Sequence, residues 1–165
     1  MGWLFVKRRM KAELGADWES RFKSFEKEAC AAASLGQVHK AVTHDDVNVA
    51  CKLQYPDMRS AIDADLKQLK LIFSVYEKYD SSISTKFIHE ELSARLYEEL
   101  DYVREAKHTK LYSDILKDES GVHVAKIVDE FSTDRLLVSE WLDGDKILDF
   151  KERYVNESLE ALRLI

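Results

Sequence analysis

Two segments of the sequence carry groups that could form an ion pair. Lys52 lies in a segment of alternating apolar residues, on the face that it would share with Ala50. The segment "YEELDYVREA" is dense in carboxylates. On one continuous helix Asp101 and Glu105 share a face, as groups directed toward one site do. Glu99 points instead along an apolar stripe, where an ionised carboxylate is costly unless a cation meets it.

The strand lysine and the stripe glutamate each have an ordinary structural interpretation as well. A lone lysine on a strand is commonly solvated at a sheet edge, and a lone glutamate on a stripe commonly lies at its wet edge. The stripe consists of Ile88, Leu92, Leu96, Val103 and Ala106. Geometry alone therefore leaves open whether Lys52 and Glu99 do more than contact water.

A run of small residues precedes the lysine segment. In "EACAAASLGQVHKAV" three consecutive alanines are followed by Ser34 and, after one leucine, by Gly36. Small residues at a turn either permit close packing or let backbone amides approach a ligand. Alanine carries a Cβ, which disfavours positive φ and limits the closest approach of the backbone to a ligand. Size alone leaves both roles open.

The elements that must position these groups form an α+β pattern. Residues 4–29 are predicted to be helical, with a break near Gly15 and a cap at Asp17. Residues 37–43 and 47–54 alternate around "THDD" and predict a β-hairpin. The other predicted elements are a helix after Pro56, a longer helix over 85–116, strands in "VHVAKIVDEF" and "RLLVSEWL", and a helix over 147–165. This order predicts an antiparallel sheet.

Composition limits the class of protein. The chain has 165 residues with 25 basic and 31 acidic side chains, and the net charge of −6 argues against nucleic acid as the main partner. No apolar run reaches membrane-spanning length and the start is no cleavable signal peptide, so a cytoplasmic location is expected. The basic residues 7–11, beside Trp3 and Phe5, are either a contact with an anionic membrane surface or a solvated helix face.

Cys30 and Cys51 lack metal-ligand spacing and are predicted to be small buried groups.

Four stretches occur in a fixed order: "AAASLGQVHKA", "VACKLQYPDM", "EELDYVREA" and "LLVSEWLDGDKI". In this order they resemble the UbiB family of atypical kinases, which is linked to coenzyme Q biosynthesis. The resemblance implies a protein-kinase-like N-terminal lobe, with extra helices before its antiparallel sheet and between the strands. It further implies a helical extension over residues 1–27, the lobe itself over 28–144, and the start of a truncated second lobe over 145–165.

The resemblance also assigns roles to residues. It implies that an alanine-rich loop over residues 31–37 and Lys52 hold the phosphates of ATP, and that Glu105 pairs with the lysine. It also implies that the backbone of a hinge, "SEWL" over residues 139–142, holds the adenine. The nucleotide-binding residues implied are Ala31, Ala32, Ala33, Ser34, Leu35, Gly36, Gln37, Ala50, Lys52, Glu140, Trp141 and Leu142. Glu99 and Asp101 match the family's Glu-x-Asp motif, whose Lys-x-Gly-Gln partner segment does not occur in this sequence. ATP and Mg²⁺ are the implied cofactors, with catalytic and metal-binding residues expected only in the second lobe.

The implied function is that of the nucleotide-binding lobe of an atypical kinase or ATPase that supports ubiquinone biosynthesis. The implied partners are a nucleotide, proteins of coenzyme Q biosynthesis and a membrane or lipid surface. Because no catalytic-loop pattern follows the hinge, the alternative is a non-catalytic scaffold or membrane-associated interaction protein, and enzyme activity of the chain itself stays open. A third interpretation, an α+β domain with coincidental motifs, requires Lys52 and Glu105 to lie far apart. Salt-bridge range between them is the prediction.

Overall fold

The computed structural model describes residues 2–79 and 85–144. Within these ranges the elements are α1 (Trp3–Leu14), β1 (Phe22–Phe25), β2 (Ala31–Ala33), β3 (Gly36–Thr43), β4 (Asn48–Gln54), α2 (Met58–Tyr79), α3 (Thr85–Glu99), α4 (Tyr102–Ile115) and β5 (Leu136–Glu140). Short 3₁₀ helices occur at Trp18–Arg21 and Asp129–Phe131. The helix predicted over 147–165 and the second-lobe region 145–165 lie outside the described residues.

The strands form one antiparallel sheet in the order β1-β3-β4-β5. Strand β2 pairs with the beginning of β3, and β1 pairs with its end, so the two share one edge of that strand. The hairpin of β3 and β4 is the one that the alternating pattern predicts. Helix α1 precedes the sheet, and α2, α3 and α4 lie between β4 and β5 in the chain. The predicted α+β class with an antiparallel sheet is confirmed.

The two faces of the sheet are covered by different helices. One face carries the main core, in which Val49, Cys51 and Leu53 of β4 are fully buried against residues of α1. This confirms the predicted apolar face of β4, and burial of these side chains is the main favourable term in folding. The opposite face packs against α4 through a smaller cluster of Tyr102, Ala106 and Leu137. Lys52 alternates with the core residues and therefore emerges on the side of α4.

Helix α1 ends where the sequence predicts. Gly15 follows it at a φ of +98°, a conformation that glycine adopts without steric cost. The predicted cap is wrong in its chemistry, because the Asp17 side chain makes no capping hydrogen bond to the 3₁₀ helix that it precedes.

Strand β1 corrects the helix predicted up to residue 29, and it makes part of the supposed helical extension a member of the sheet. Phe22 and Phe25 are separated by three positions, a spacing that also suits one face of a helix. A bulge after Phe22 disturbs the strict alternation of the strand, and the two rings lie 5.6 Å apart. The bulge thus gives a strand the apolar spacing of a helix.

The single helix predicted over residues 85–116 is wrong, because the chain breaks between α3 and α4. The amides of Leu100 and Asp101 bond to carbonyls three residues earlier, which tightens the end of α3. Asp101 then begins α4, where its carboxylate accepts a hydrogen bond of 2.8 Å from the amide of Arg104. The predicted apolar stripe does not survive the break. Ile88 and Val103 are 45% and 44% exposed.

Asp101→Ala is expected to lower the free energy of unfolding by about 1 kcal/mol, because the first turn of α4 loses its cap. Asp114→Ala is the matched control, since Asp114 lies near the other end of the same helix. A carboxylate there opposes the helix dipole, so its removal leaves stability unchanged or slightly higher. Urea unfolding of both variants measures the difference, and equal losses would contradict the capping role.

The segment "VHVAKIVDEF" is not the strand that its pattern predicts. It makes one bridge, between Ile127 and Ser139, and then turns into the 3₁₀ helix at Asp129–Phe131. Backbone hydrogen bonds still join it to β5, from the amide of Val128 to Val138 and from the amide of Glu140 to Lys126, both 2.8 Å. The strand predicted in "RLLVSEWL" is confirmed as β5.

Candidate functional site

Lys52 and Glu105 form an ion pair across 53 residues of sequence. The ammonium nitrogen Nζ lies 2.7 and 2.8 Å from the two carboxylate oxygens. This confirms the predicted salt-bridge range and excludes the interpretation in which the two residues lie far apart. The side chains are 25% and 40% exposed, and a pair of that kind contributes at most about 1 kcal/mol to stability. The pair therefore fixes a charge in place more than it stabilises the fold.

The sheet and α4 aim the lysine together. Lys52 is paired in register with Val38 on one side and Leu137 on the other, so its side chain rises from the middle of the sheet. The ring of Tyr102 lies beneath the ammonium, with its centroid 4.8 Å from Nζ. Burial, and then the charge of Glu105, raise the pKa of Tyr102, so its hydroxyl stays protonated.

A cavity of about 520 Å³ adjoins the ion pair. Its charged lining consists of Lys52, Arg95, Arg104, Glu98, Glu99 and Glu105. Arg104 and Arg95 lie 2.6 and 3.0 Å from Glu98, and the hydrogen bond from Arg104 is the main cause of the lowered pKa of that carboxyl. Glu98 is thus neutralised within its own cluster, which also bridges α3 and α4.

The helix break reverses the predicted directions of Glu99 and Asp101. Glu99 was expected opposite Glu105, yet it lines the same cavity and accepts a hydrogen bond of 2.8 Å from the hydroxyl of Ser34. Asp101 was expected beside Glu105, yet it caps α4 and lines a different cavity that includes Arg59. The physical reason is that residues on either side of a break no longer follow one helical rotation.

The alanine-rich stretch is a strand with a short turn and not a loop. Ala31, Ala32 and Ala33 pair with Val38, Gln37 and Gly36, and Ser34 and Leu35 form the tip. The described non-glycine residues with positive φ are Asp46 and Asp57, so the alanines keep ordinary extended conformations. The first two alanines are exposed.

Gly36 and Gln37 serve the packing of the hairpin. A Cβ on Gly36 would lie 2.3 Å from the carbonyl oxygen of Leu53, so only glycine allows β3 and β4 to come this close. Close packing thus accounts for the glycine at position 36, while its predicted contact with a nucleotide stays a prediction. The Gln37 side chain is buried, with Nε2 2.7 Å from Nε2 of His39. Burial lowers the pKa of His39, which favours the neutral ring.

The predicted hinge begins within β5, which ends at Glu140, and continues directly after it. The amides of Glu140 and Trp141 donate to the carbonyls of Lys126 and Asn48, and the Glu140 carboxylate lies 3.2 Å from His123, which lowers the pKa of that carboxyl. Leu142 is 44% exposed.

Trp141 is held at the same end of the sheet by Lys40, whose ammonium lies 4.6 Å from the indole centroid. Ala50, half-buried on β4, is paired with Lys40 and Ser139, and so lies between the hinge and Lys52. The predicted nucleotide-binding residues on β4 and after β5 are therefore neighbours in space.

Three contacts of the site were missed at the sequence level: the ring of Tyr102 under the ammonium, the bond from Ser34 to Glu99, and the arginines around Glu98. Tyr102 precedes Glu105 by three residues, a spacing that places both on one helix face. That signal was available. The partners of Glu99 and Glu98 depend on the break, which no local pattern indicates.

A small antiparallel sheet, a strand lysine held by a helix glutamate, and a hinge beside the same strand define a protein of the kinase-like class. The family model for the ABC1 atypical kinase-like domain matches residues 1–162, and the chain belongs to this family. Relatives named as COQ8 or as activity of BC1 complex kinases bear out the resemblance to the UbiB family.

The chain is 38% identical over 144 residues to the chloroplastic protein ACTIVITY OF BC1 COMPLEX KINASE 7 of Arabidopsis thaliana. The aligned region covers 86% of this chain and 21% of that protein. The chain is 36% identical over 142 residues to the mitochondrial atypical kinase coq-8 of Caenorhabditis elegans, with 86% and 19% covered. A solved structure, the complex of Rv3197 with erythromycin from Mycobacterium tuberculosis, has a TM-score of 0.76 at 33% identity, with 87% and 36% covered. The chain thus spans about a fifth of these curated relatives.

Two further observations concern the described residues alone. Among them, no helix has the length and apolar character needed to cross a membrane. Within the same ranges, His, Cys, Asp and Glu side chains form no group of three or more that could hold a metal ion.

Proposed function

We propose that this chain is the nucleotide-binding lobe of an atypical kinase or ATPase, and that Lys52 contacts the phosphates of ATP. The observation that carries the proposal is the ammonium of Lys52, held by both oxygens of Glu105 at the edge of a cavity. A lysine fixed in this way is a positioned positive charge, which suits a phosphate anion. Family membership supports the same assignment.

The hairpin of β2 and β3 is the second part of the proposed site. Its tip, Ser34 and Leu35, is tied to the cavity through the hydrogen bond from Ser34 to Glu99. The hairpin can therefore cover the phosphates while its alanines keep their extended conformation.

The hinge supplies the adenine contacts in this proposal. Because the amides of Glu140 and Trp141 already donate within the protein, recognition by a backbone amide falls to Leu142 or beyond. Side chains of Glu140 and Trp141 have partners of their own and serve to fix the end of β5.

Mg²⁺ bound with ATP would neutralise phosphate charge and favour phosphoryl transfer. The described residues contribute mainly by binding and orienting the nucleotide. The role in ubiquinone biosynthesis, with its partner proteins, rests on relatives whose names are coq-8 and COQ8.

Titration calorimetry with a non-hydrolysable ATP analogue and Mg²⁺ tests the proposal. Lys52→Ala is expected to weaken binding by at least about tenfold, the equivalent of 1.4 kcal/mol, because the fixed cation is lost. Lys23→Ala is the matched control, since Lys23 is also a strand lysine paired with a carboxylate, that of Asp46, but far along the sheet edge. Absence of binding by the unaltered chain at millimolar nucleotide would contradict the proposal, as would equal affinities of the two variants.

The second candidate, a scaffold or membrane-associated interaction protein, is favoured by one observation. Helix α2 exposes a broad apolar face, made of Leu71, Ile72, Val75, Tyr76 and Tyr79. Beside the N-terminal basic cluster, Trp3 packs against Trp18 and Phe25, whereas Phe5 is 45% exposed. Absence of nucleotide binding in the calorimetry would leave this candidate in place. The expected cytoplasmic location stays a prediction, and the organelles named for the relatives are the alternative.

A further inference from the structure

Tyr102 is a buried residue of the site to which the proposed phosphate binding assigns no role. It is 1% exposed, in the first turn of α4. Its ring centroid lies 4.8 Å from the Lys52 ammonium, whose nitrogen also contacts both oxygens of Glu105. The ammonium therefore meets an aromatic face and a carboxylate from the same helix.

The two partners of the ammonium differ in how firmly they are held. The Glu105 side chain is 40% exposed, and a carboxylate accepts an ammonium from many directions. The Tyr102 ring packs in a closed cluster with Ala106 and Leu137. A cation over an aromatic face is restricted to a narrow region near the ring axis. The ring is thus the fixed surface against which the lysine is placed.

The Tyr102 hydroxyl has a different environment from the ring. It is buried and, among the described residues, has no hydrogen-bond partner. A Cβ on Gly36 would lie 3.1 Å from the hydroxyl oxygen, so the hydroxyl fills space beneath the alanine hairpin. An unpaired buried hydroxyl is costly, and its removal is therefore cheap. The ring and not the hydroxyl carries whatever function this side chain has.

We propose that Tyr102 is the positioning residue for Lys52, and that its ring, without its hydroxyl, holds the ammonium where a nucleotide di- or triphosphate meets it. The effect on nucleotide affinity rests on the proposed function. The effect on the lysine itself does not, because it follows from the contact between ring and ammonium alone.

Three variants of the full 165-residue chain distinguish the contribution of the Tyr102 ring from that of its hydroxyl and from a general effect of core packing. Tyr102→Phe keeps the ring, and Tyr102→Leu replaces it with an aliphatic side chain. Phe131→Leu is the control, since Phe131 is a buried aromatic residue in the core on the other face of the sheet. Tyr102→Met, whose flexible side chain fills irregular space, replaces the leucine variant if that variant does not fold.

Calorimetry with the ATP analogue and Mg²⁺ is the first measurement. Tyr102→Phe and Phe131→Leu are expected to bind within about twofold of the unaltered chain, and Tyr102→Leu about tenfold more weakly, within the range of a partly desolvated cation–π contact. A phenylalanine variant as weak as the leucine variant would overturn the assignment to the ring.

Nuclear magnetic resonance of the lysine side chains is the second measurement and needs no nucleotide. The ε-methylene signal of Lys52, assigned by its absence in Lys52→Ala, is expected upfield because this carbon carries the ammonium that lies 4.8 Å from the Tyr102 ring centroid. Tyr102→Phe keeps this shift and Tyr102→Leu removes it, whereas Phe131→Leu has no effect. If the chain binds no nucleotide but the shift behaves in this way, the proposed function fails, and the contact between ring and ammonium on which the positioning role rests stands. A Lys52 signal unchanged in Tyr102→Leu overturns the positioning role.

Discussion

Gly36→Ala is expected to destabilise the chain by about 3 kcal/mol, at the upper end for overpacking, because the added methyl meets backbone and not a movable side chain. An ideal Cβ at this position lies 2.3 Å from the Leu53 carbonyl oxygen and 3.1 Å from the Tyr102 hydroxyl. To make room, β3 must separate from β4 at the residue that follows the hairpin tip. The loss therefore falls on the pairing that also holds Lys52.

Urea unfolding measures this loss, and Gly144→Ala provides the control. A Cβ on Gly144 would have no atom within 4 Å, so its replacement is expected to leave the midpoint unchanged. Hydrogen exchange locates the effect. In Gly36→Ala we expect faster exchange than in the unaltered chain at the amides of residues 36–38 and 52–54. A Gly36→Ala variant within about 0.5 kcal/mol of the unaltered chain, the range of ordinary surface substitutions, would show that the hairpin accommodates the methyl.

Cys51 is expected to be alkylated at least about a thousandfold more slowly than an ordinary exposed thiol at pH 8, since the thiolate is the reactive form. Burial raises the pKa of the Cys51 thiol to about 12, with a smaller contribution from Cys30. Cys51 is next to Lys52 in sequence but on the core face of β4. A thiol reagent in the cavity beside Lys52 therefore does not reach it. The prediction that both cysteines are buried is wrong for Cys30, which is exposed.

Mass spectrometry of the Cys30→Ser variant tests this, because Cys51 is then the remaining thiol. Labelling is expected to follow unfolding as urea is added, and rapid labelling without urea would contradict the burial. The same group gives a pH dependence. Its folded pKa is raised, so its contribution to stability is present below the ordinary pKa of 9.0 and is lost as pH rises toward about 12. Cys51→Ala is expected to lack this part of the loss in stability between pH 9 and pH 12.

The charged pair shows how far local pattern extends. Alternation along β4 predicts that Lys52 leaves the core face, and the fully buried Val49, Cys51 and Leu53 confirm it. That the partner is Glu105 follows from resemblance and not from pattern. The two residues are 53 positions apart, and only the packing of α4 on the sheet brings them together.

The Glu-x-Asp motif shows where local pattern fails. If residues 85–116 formed one helix, the side chains of Glu99 and Asp101 would point in directions that the structure does not show. The hydrogen bond from the Arg104 amide to the Asp101 carboxylate begins a new helix at that point. Aspartate favours a helix cap over a helix interior, but a cap and a solvated interior aspartate look alike in sequence. The break then sends Glu99 to Ser34, a residue of the hairpin tip.

The sequence by itself determined the properties that repeat at short range: the hairpin around "THDD", the core face of β4, the end of α1 at Gly15, and the order of motifs that identifies the family. Tertiary structure alone decided the bulge after Phe22, the ring of Tyr102 under Lys52, and the need for glycine at position 36. The physical reason is the range of the interactions. Periodicity and turn preference act over a few residues, whereas steric contact and ion pairing depend on segments that meet only when the chain has folded.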